Sequence, residues 1–109
     1  MTKATSKAVV SRTKVTNTVA YDVAEQLRTP EEMVAYLDAW LEEAPEDAAG
    51  IARALGDIAR AKGMTQVARD AGLSRESLYK ALGENGNPTF ATVLKVARAL
   101  GVRFHAQVA

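Results

Sequence analysis

Val67-Ala68-Arg69-Asp70-Ala71-Gly72-Leu73-Ser74, followed by Leu78 and by Ala81-Leu82, is the stretch that decides the fold. Two helices that cross at a wide angle need a small residue where they touch, and Ala68 supplies it. The tight turn between them needs a residue tolerant of positive φ, and Gly72 stands four positions later. Leu73 plugs the core beneath the turn, Ser74 caps the second helix, and Leu78 anchors that helix's inner face. Each feature is common alone. Together they spell a helix-turn-helix over about residues 64–82, with short helices at about 64–71 and 75–82.

Downstream, Gly83-Glu84-Asn85-Gly86-Asn87-Pro88 is a loop by its turn residues. Thr89 caps a last helix whose Phe90, Val93, Leu94, Ala97 and Leu100 are expected to face inward, and Gly101 ends it. The period then changes. Val102, Phe104, Ala106 and Val108 alternate with Arg103, His105 and Gln107, which predicts a short β-strand over 102–109. A lone strand needs a partner, either the same strand of a second subunit or residues 14–20.

Upstream, Asp47 caps a helix in which Ile51, Leu55 and Ile58 recur at helical spacing until Gly63. Before it, Thr29-Pro30-Glu31-Glu32 carries a capping residue, a proline suited to the first helical position and a glutamate three residues after the cap. Met33, Tyr36, Leu37, Trp40, Leu41 and Ala44 follow as one apolar stripe, and Pro45 stops the helix. That stripe, with Tyr36 and Trp40, is read as core because so small a domain needs the burial. Asp22–Leu27 has room for one or two turns with Tyr21, Ala24 and Leu27 inward. Residues 1–20, rich in Ser, Thr, Lys and Val, lack a sustained period and are read as a mobile basic tail, with a short strand at Lys14–Ala20 as the alternative.

The chain of 109 residues suits one modest core, and 48% apolar with 25% charged residues is ordinary for a globular protein. The fold class is therefore all-α: a compact domain of five or so helices, with a short C-terminal β-strand. Its parts are a tail (1–20), an acidic helical segment (21–46), a helix-turn-helix domain (47–101) and the strand (102–109). No cysteine is present and only one histidine, so neither a disulfide framework nor a zinc site of the usual kind is expected, and no metal or other cofactor. No apolar run approaches the roughly 20 residues that span a bilayer, and no signal-peptide core is visible. A cytoplasmic protein is expected, nucleoid-associated when bound to DNA, with no membrane partner.

The net charge of +1 hides an asymmetry. Residues 1–20 carry Lys3, Lys7, Arg12 and Lys14 and no acid, for +4; residues 21–47 carry nine acids against Arg28 alone, for −8; and residues 48–109 carry nine bases against Asp57, Asp70, Glu76 and Glu84, for +5. Two surfaces with opposite partners are implied. The plainer account of the acids is that they solvate the outer face of the helix after Thr29.

The motif resembles the DNA-binding helix-turn-helix of Cro, Lac-repressor and phage-repressor-like proteins, and in that family geometry the exposed residues early on the second helix face base edges, which implies Arg75, Glu76, Tyr79 and Lys80 here, with Ser77 close by. Arg75 suits bidentate pairing with guanine, Glu76 suits acceptance from cytosine, and Tyr79 a thymine methyl or a phosphate. Glu76 equally suits an i,i+4 pair with Lys80. Ser74, Gln66 and Lys80 suit the backbone, where they fix register without reading sequence. His105 has no carboxylate or nucleophile at a recognisable spacing, and the glycines of 83–87 lack the setting of a phosphate loop. No catalytic residue and no small-molecule ligand are expected, so the chain is read as non-enzymatic.

The resemblance to Cro, Lac-repressor and phage-repressor-like proteins spans about residues 50–101, although Met64-Thr65-Gln66 is a shorter opening than those domains often carry. A second resemblance is more specific. The runs Gly56–Arg69, Gly72–Leu82 and Gly86–Phe90, with the upstream Asp22–Leu27 and Thr29–Glu32 segments, are similar to the probable addiction-module antidote family, antitoxins related to HigA. That resemblance implies a type II toxin–antitoxin system: a RelE/HigB-like mRNA endonuclease toxin neutralised by direct binding, and repression of a shared operon. A basic toxin would match the −8 segment, with Glu31, Asp38 and Glu42 as candidate contacts. Operator DNA bound by a homodimer, on half-sites about one helical turn apart, completes the expectation. The alternatives are a stand-alone phage-type repressor and a protein-interaction module whose motif no longer binds DNA. Exposed Arg75, Tyr79 and Lys80 argue against the last.

Overall fold

A computed structural model describes residues 20–109, and for residues 20–22 the backbone alone. The described residues form six helices: α1 (Ala20–Gln26), α2 (Pro30–Glu43), α3 (Ala48–Lys62), α4 (Met64–Ala71), α5 (Arg75–Leu82) and α6 (Phe90–Leu100). The expected basic tail and its alternative strand lie outside the described residues, except Ala20, which opens α1.

Helix starts follow the capping chemistry of the sequence. The Thr29 hydroxyl accepts from the Glu32 amide at 3.1 Å, while the Glu32 carboxylate accepts from the amides of Arg28 and Thr29 at 2.8 and 3.0 Å. Those bonds, the Arg28 amide first, hold the Glu32 carboxyl below its ordinary pKa. The Asp47 carboxylate accepts from the Gly50 amide, Ser74 from Ser77 and Thr89 from Thr92. Each bond satisfies an amide that has no partner within its own helix.

Helix α3 is the hub, in contact with all five other described helices. Its Ala54, Leu55, Ile58 and Ala59 are completely buried and meet Val67 of α4, Leu78 of α5 and Val96 of α6, also completely buried. Small residues let the helices close in. Gly50 lies so near the Trp40 ring that a Cβ there would come within 2.5 Å of it. Trp40 and Tyr36 are buried, so the apolar stripe of α2 is core as expected, and Val23 and Leu27 bring α1 into the same cluster.

Two expectations at the C-terminus are corrected. Residues 102–109 form no strand among the described residues. The Gly101 amide bonds to Arg98 and the Val102 amide to Ala97, which closes α6 in a left-handed turn, and beyond it no other described residue supplies the ladder that a strand requires. Phe90 and Leu94 do not face inward: they are 72% and 45% exposed. The buried stripe of α6 is Val96, Ala97, Ala99 and Leu100, displaced toward the end of the helix that packs on α3 and α4.

Candidate nucleic-acid interface

The α4–α5 pair is built on a single backbone requirement. Gly72 sits at φ 73° and ψ 30°, and its amide and that of Leu73 bond back to Arg69 and Ala68, closing α4. An L-residue pays for this left-handed conformation with a Cβ–carbonyl conflict, which glycine lacks. Ser74 then returns to extended backbone and starts α5, with Leu78 and Leu82 turned to the core. Helical spacing leaves Arg75, Glu76, Tyr79 and Lys80 exposed on the opposite face, with Ser77 beside them.

The exposed residues are partly pre-set. The Arg75 guanidinium lies 5.3 Å from the centre of the Tyr79 ring, and its Nη2 donates to the Tyr79 hydroxyl at 3.2 Å. Ser74 Oγ accepts from the Ser77 amide and donates to Ser77 Oγ at 2.8 Å, so Ser74 serves the helix cap. Glu76 lies in the first turn of α5, where a negative charge complements the helix dipole, and it forms no ion pair with Lys80. Gln66 is tied along its own helix, donating to Asp70 at 2.9 Å and accepting from Arg69 at 3.4 Å.

Gln66, Arg75 and Tyr79 line one open concavity together with Arg60, Gly63 and Thr65. The N-terminus of α4 opens there too, because Gly63 caps it without a side-chain acceptor. Two guanidinium groups beside uncapped helix amides form an environment for an anionic oxygen. Ser74, Ser77, Glu76 and Lys80 are not in this concavity, although they share the exposed side of α5 or its cap. Arg60 and Thr65 line the concavity although the motif does not single them out; the local mark of Arg60 is Asp57 three residues before it, an i,i+3 acid–base pair close to the motif.

The acidic candidates sit elsewhere. Glu31, Asp38 and Glu42 are exposed on α2, and Val34, 48% exposed, falls between them at helical spacing. The result is an apolar spot rimmed by acids on a helix whose packing contacts are with α3. Among the described residues no cluster of His, Asp or Glu could hold a metal ion, and no helix is long and apolar enough to cross a membrane.

The model of one protein family, described as probable addiction module antidote protein, matches residues 17–108. An uncharacterized protein of Haemophilus influenzae (strain ATCC 51907 / DSM 11121 / KW20 / Rd) is 56% identical over 87 residues, covering 80% of this chain and 88% of that protein. No solved structure gives a significant match.

Proposed function

The chain belongs to the probable addiction module antidote family, and on that premise we propose that it is the antitoxin of a type II toxin–antitoxin system that also represses its own operon. The toxin is a RelE/HigB-like mRNA endonuclease, neutralised by direct binding. The operator is bound through a helix-turn-helix of the HigA and phage-repressor kind, formed by α4 and α5. The protein acts in the cytoplasm, without enzymatic activity, and as a homodimer on a two-fold operator, since one such domain covers little DNA.

The observation that carries the DNA function is the two-sidedness of α5. Leu78 and Leu82 are buried while Arg75, Tyr79 and Lys80 are exposed on a helix that starts immediately after a glycine turn. A second short helix held out from the core by its inner leucines, with cations on its outer face, has the shape and charge to enter a major groove. Arg75 and Glu76 read bases, with Ser77 beside them; Lys80, Ser74 and Gln66 hold the backbone, with Tyr79 supporting Arg75. For the toxin, Glu31, Asp38 and Glu42 around Val34 supply an acidic rim and an apolar centre, matched to a basic RNA-handling partner.

Co-expression with the product of the adjacent reading frame tests the antitoxin function. The expected result is relief of growth arrest and a complex that survives purification. A neighbour that neither arrests growth nor binds this chain would contradict it.

A further inference from the structure

Arg60 stands outside the two-helix pair, on α3, yet its side chain lines the same concavity as Gln66, Arg75 and Tyr79. Its guanidinium is held from behind. Asp57 Oδ1 pairs with Arg60 Nη2, and Asp57 Oδ2 accepts from the Tyr36 hydroxyl at 2.6 Å. Tyr36 is a buried residue of α2, so a side chain of the acidic N-terminal unit fixes a cation on the basic face. An exposed i,i+3 ion pair contributes little to stability and does not need a buried tyrosine to orient its carboxylate. The arrangement makes sense if the position of Arg60 matters to something outside the fold.

We propose that Arg60 binds a backbone phosphate of operator DNA, and that Tyr36 and Asp57 are the positioning residues that aim it. The proposal rests on the DNA-binding function given above. Arginine carries five donors in a fixed fork, and Asp57 engages one terminal nitrogen. The side chain is 40% exposed, which leaves the other donors within reach of a ligand. A phosphate, not a base, is the fitting partner: α3 is the central packing helix and does not enter a groove, while a forked cation suits two phosphate oxygens. The contact therefore sets register and affinity without reading sequence.

The test is a fluorescence-anisotropy titration of the full chain with a labelled duplex from its own upstream region, across a salt series, with each variant's helicity and melting recorded. Arg60→Ala is expected to lose about tenfold in affinity and to flatten the slope of log K against log salt by about 0.9. The loss is the same for operator and base-substituted duplexes. Arg60→Gln, which keeps an amide donor toward Asp57, gives the same loss of slope should the alanine variant unfold. Arg60→Lys restores the slope and only part of the affinity. Tyr36→Phe keeps the slope and loses a few-fold in affinity, an effect that a purely structural tyrosine would not produce in a folded variant. Wild-type affinity and slope in both Arg60→Ala and Arg60→Gln, while Arg75→Ala still weakens binding, would overturn the proposal alone. A wild-type chain that binds no duplex would overturn the DNA-binding function and this proposal with it.

Discussion

Arg75 and Tyr79 hold each other one turn apart on the exposed face of α5, with the guanidinium 5.3 Å from the ring centre and a 3.2 Å hydrogen bond to the hydroxyl. An exposed cation–π contact of this kind stabilises by about 0.5–1 kcal/mol. Its larger consequence is that a long side chain is already restricted before it meets a ligand, so less rotamer entropy is lost on binding.

A base-reading Arg75 has a position-specific signature. Arg75→Ala is expected to weaken binding by about 1–3 kcal/mol and to abolish discrimination at one base pair of each half-site. Lys80→Ala weakens all sequences alike and lowers the salt slope by about one. Competition with singly substituted duplexes separates the two. Tyr79→Phe, which keeps the ring and removes the hydroxyl, falls between wild type and Arg75→Ala at the same base pair.

The turn and the inner leucine set the stability of the pair. A Cβ at Gly72 would meet nothing within 4 Å, so Gly72→Ala carries only the backbone penalty of a positive φ, about 1–2 kcal/mol. Leu78 is completely buried between α5 and the core, and Leu78→Ala is expected to cost about 2–5 kcal/mol. Urea unfolding followed by circular dichroism checks both. Equal losses would mean that the turn is more tightly packed than its open surroundings indicate.

Alkaline pH should act through Tyr36. Burial, and then the charge of Asp57, raise its pKa well above the ordinary phenol value of 10.0. The folded state therefore favours the protonated hydroxyl. The stability this confers is complete below pH 10.0 and declines as the pH rises past it, because the unfolded chain can release the proton and the folded chain resists. Tyr36→Phe is expected to lose about 1.5–3 kcal/mol at neutral pH, as befits a hydrogen bond to a charged acceptor. It should also show a shallower fall in urea midpoint between about pH 9 and 11. An unchanged alkaline slope in the phenylalanine variant would contradict the buried bond.

The acidic face of α2 should govern toxin association. Glu31→Gln with Asp38→Asn is expected to slow association about tenfold at low salt and to lower its salt dependence, leaving dissociation much less affected. Stopped-flow or surface-based kinetics with the purified toxin reads this. Operator affinity, which is proposed to reside on α5, should not fall.

Helix positions were legible because capping is local chemistry. Thr29 with Glu32, Asp47, Ser74 and Thr89 each declared a start within three residues, and Gly72 and Gly101 declared ends by their need for positive φ. What failed depended on distant partners. The alternation at 102–108 has the period of a strand, but a strand exists only with a hydrogen-bonded neighbour, and periodicity does not supply one. Phe90 and Leu94 are apolar and helically spaced, which identifies a stripe without saying whether the protein covers it; α6 packs through Val96 and Leu100 instead. The Asp57–Arg60 pair has a local i,i+3 signature, but the Tyr36–Asp57 bond joins two helices across 21 positions, which no local pattern marks. The exposure of Arg75, Tyr79 and Lys80 is legible because one motif determines which face of α5 is buried.

Autoregulation of the operon requires that the outer face of α5 bind the chain's own operator. The most direct measurement is an anisotropy titration of a labelled duplex from the region upstream of its coding sequence against a scrambled duplex of equal length and composition. The comparison is between wild type and an Arg75→Ala/Lys80→Ala double variant of unchanged helicity. Tight, salt-dependent wild-type binding to the upstream duplex is expected, at least about a thousandfold over the scrambled one, with affinity for both duplexes weakened and that preference reduced in the double variant. Equal wild-type affinity for both duplexes, or a double variant that binds as wild type does, would contradict it.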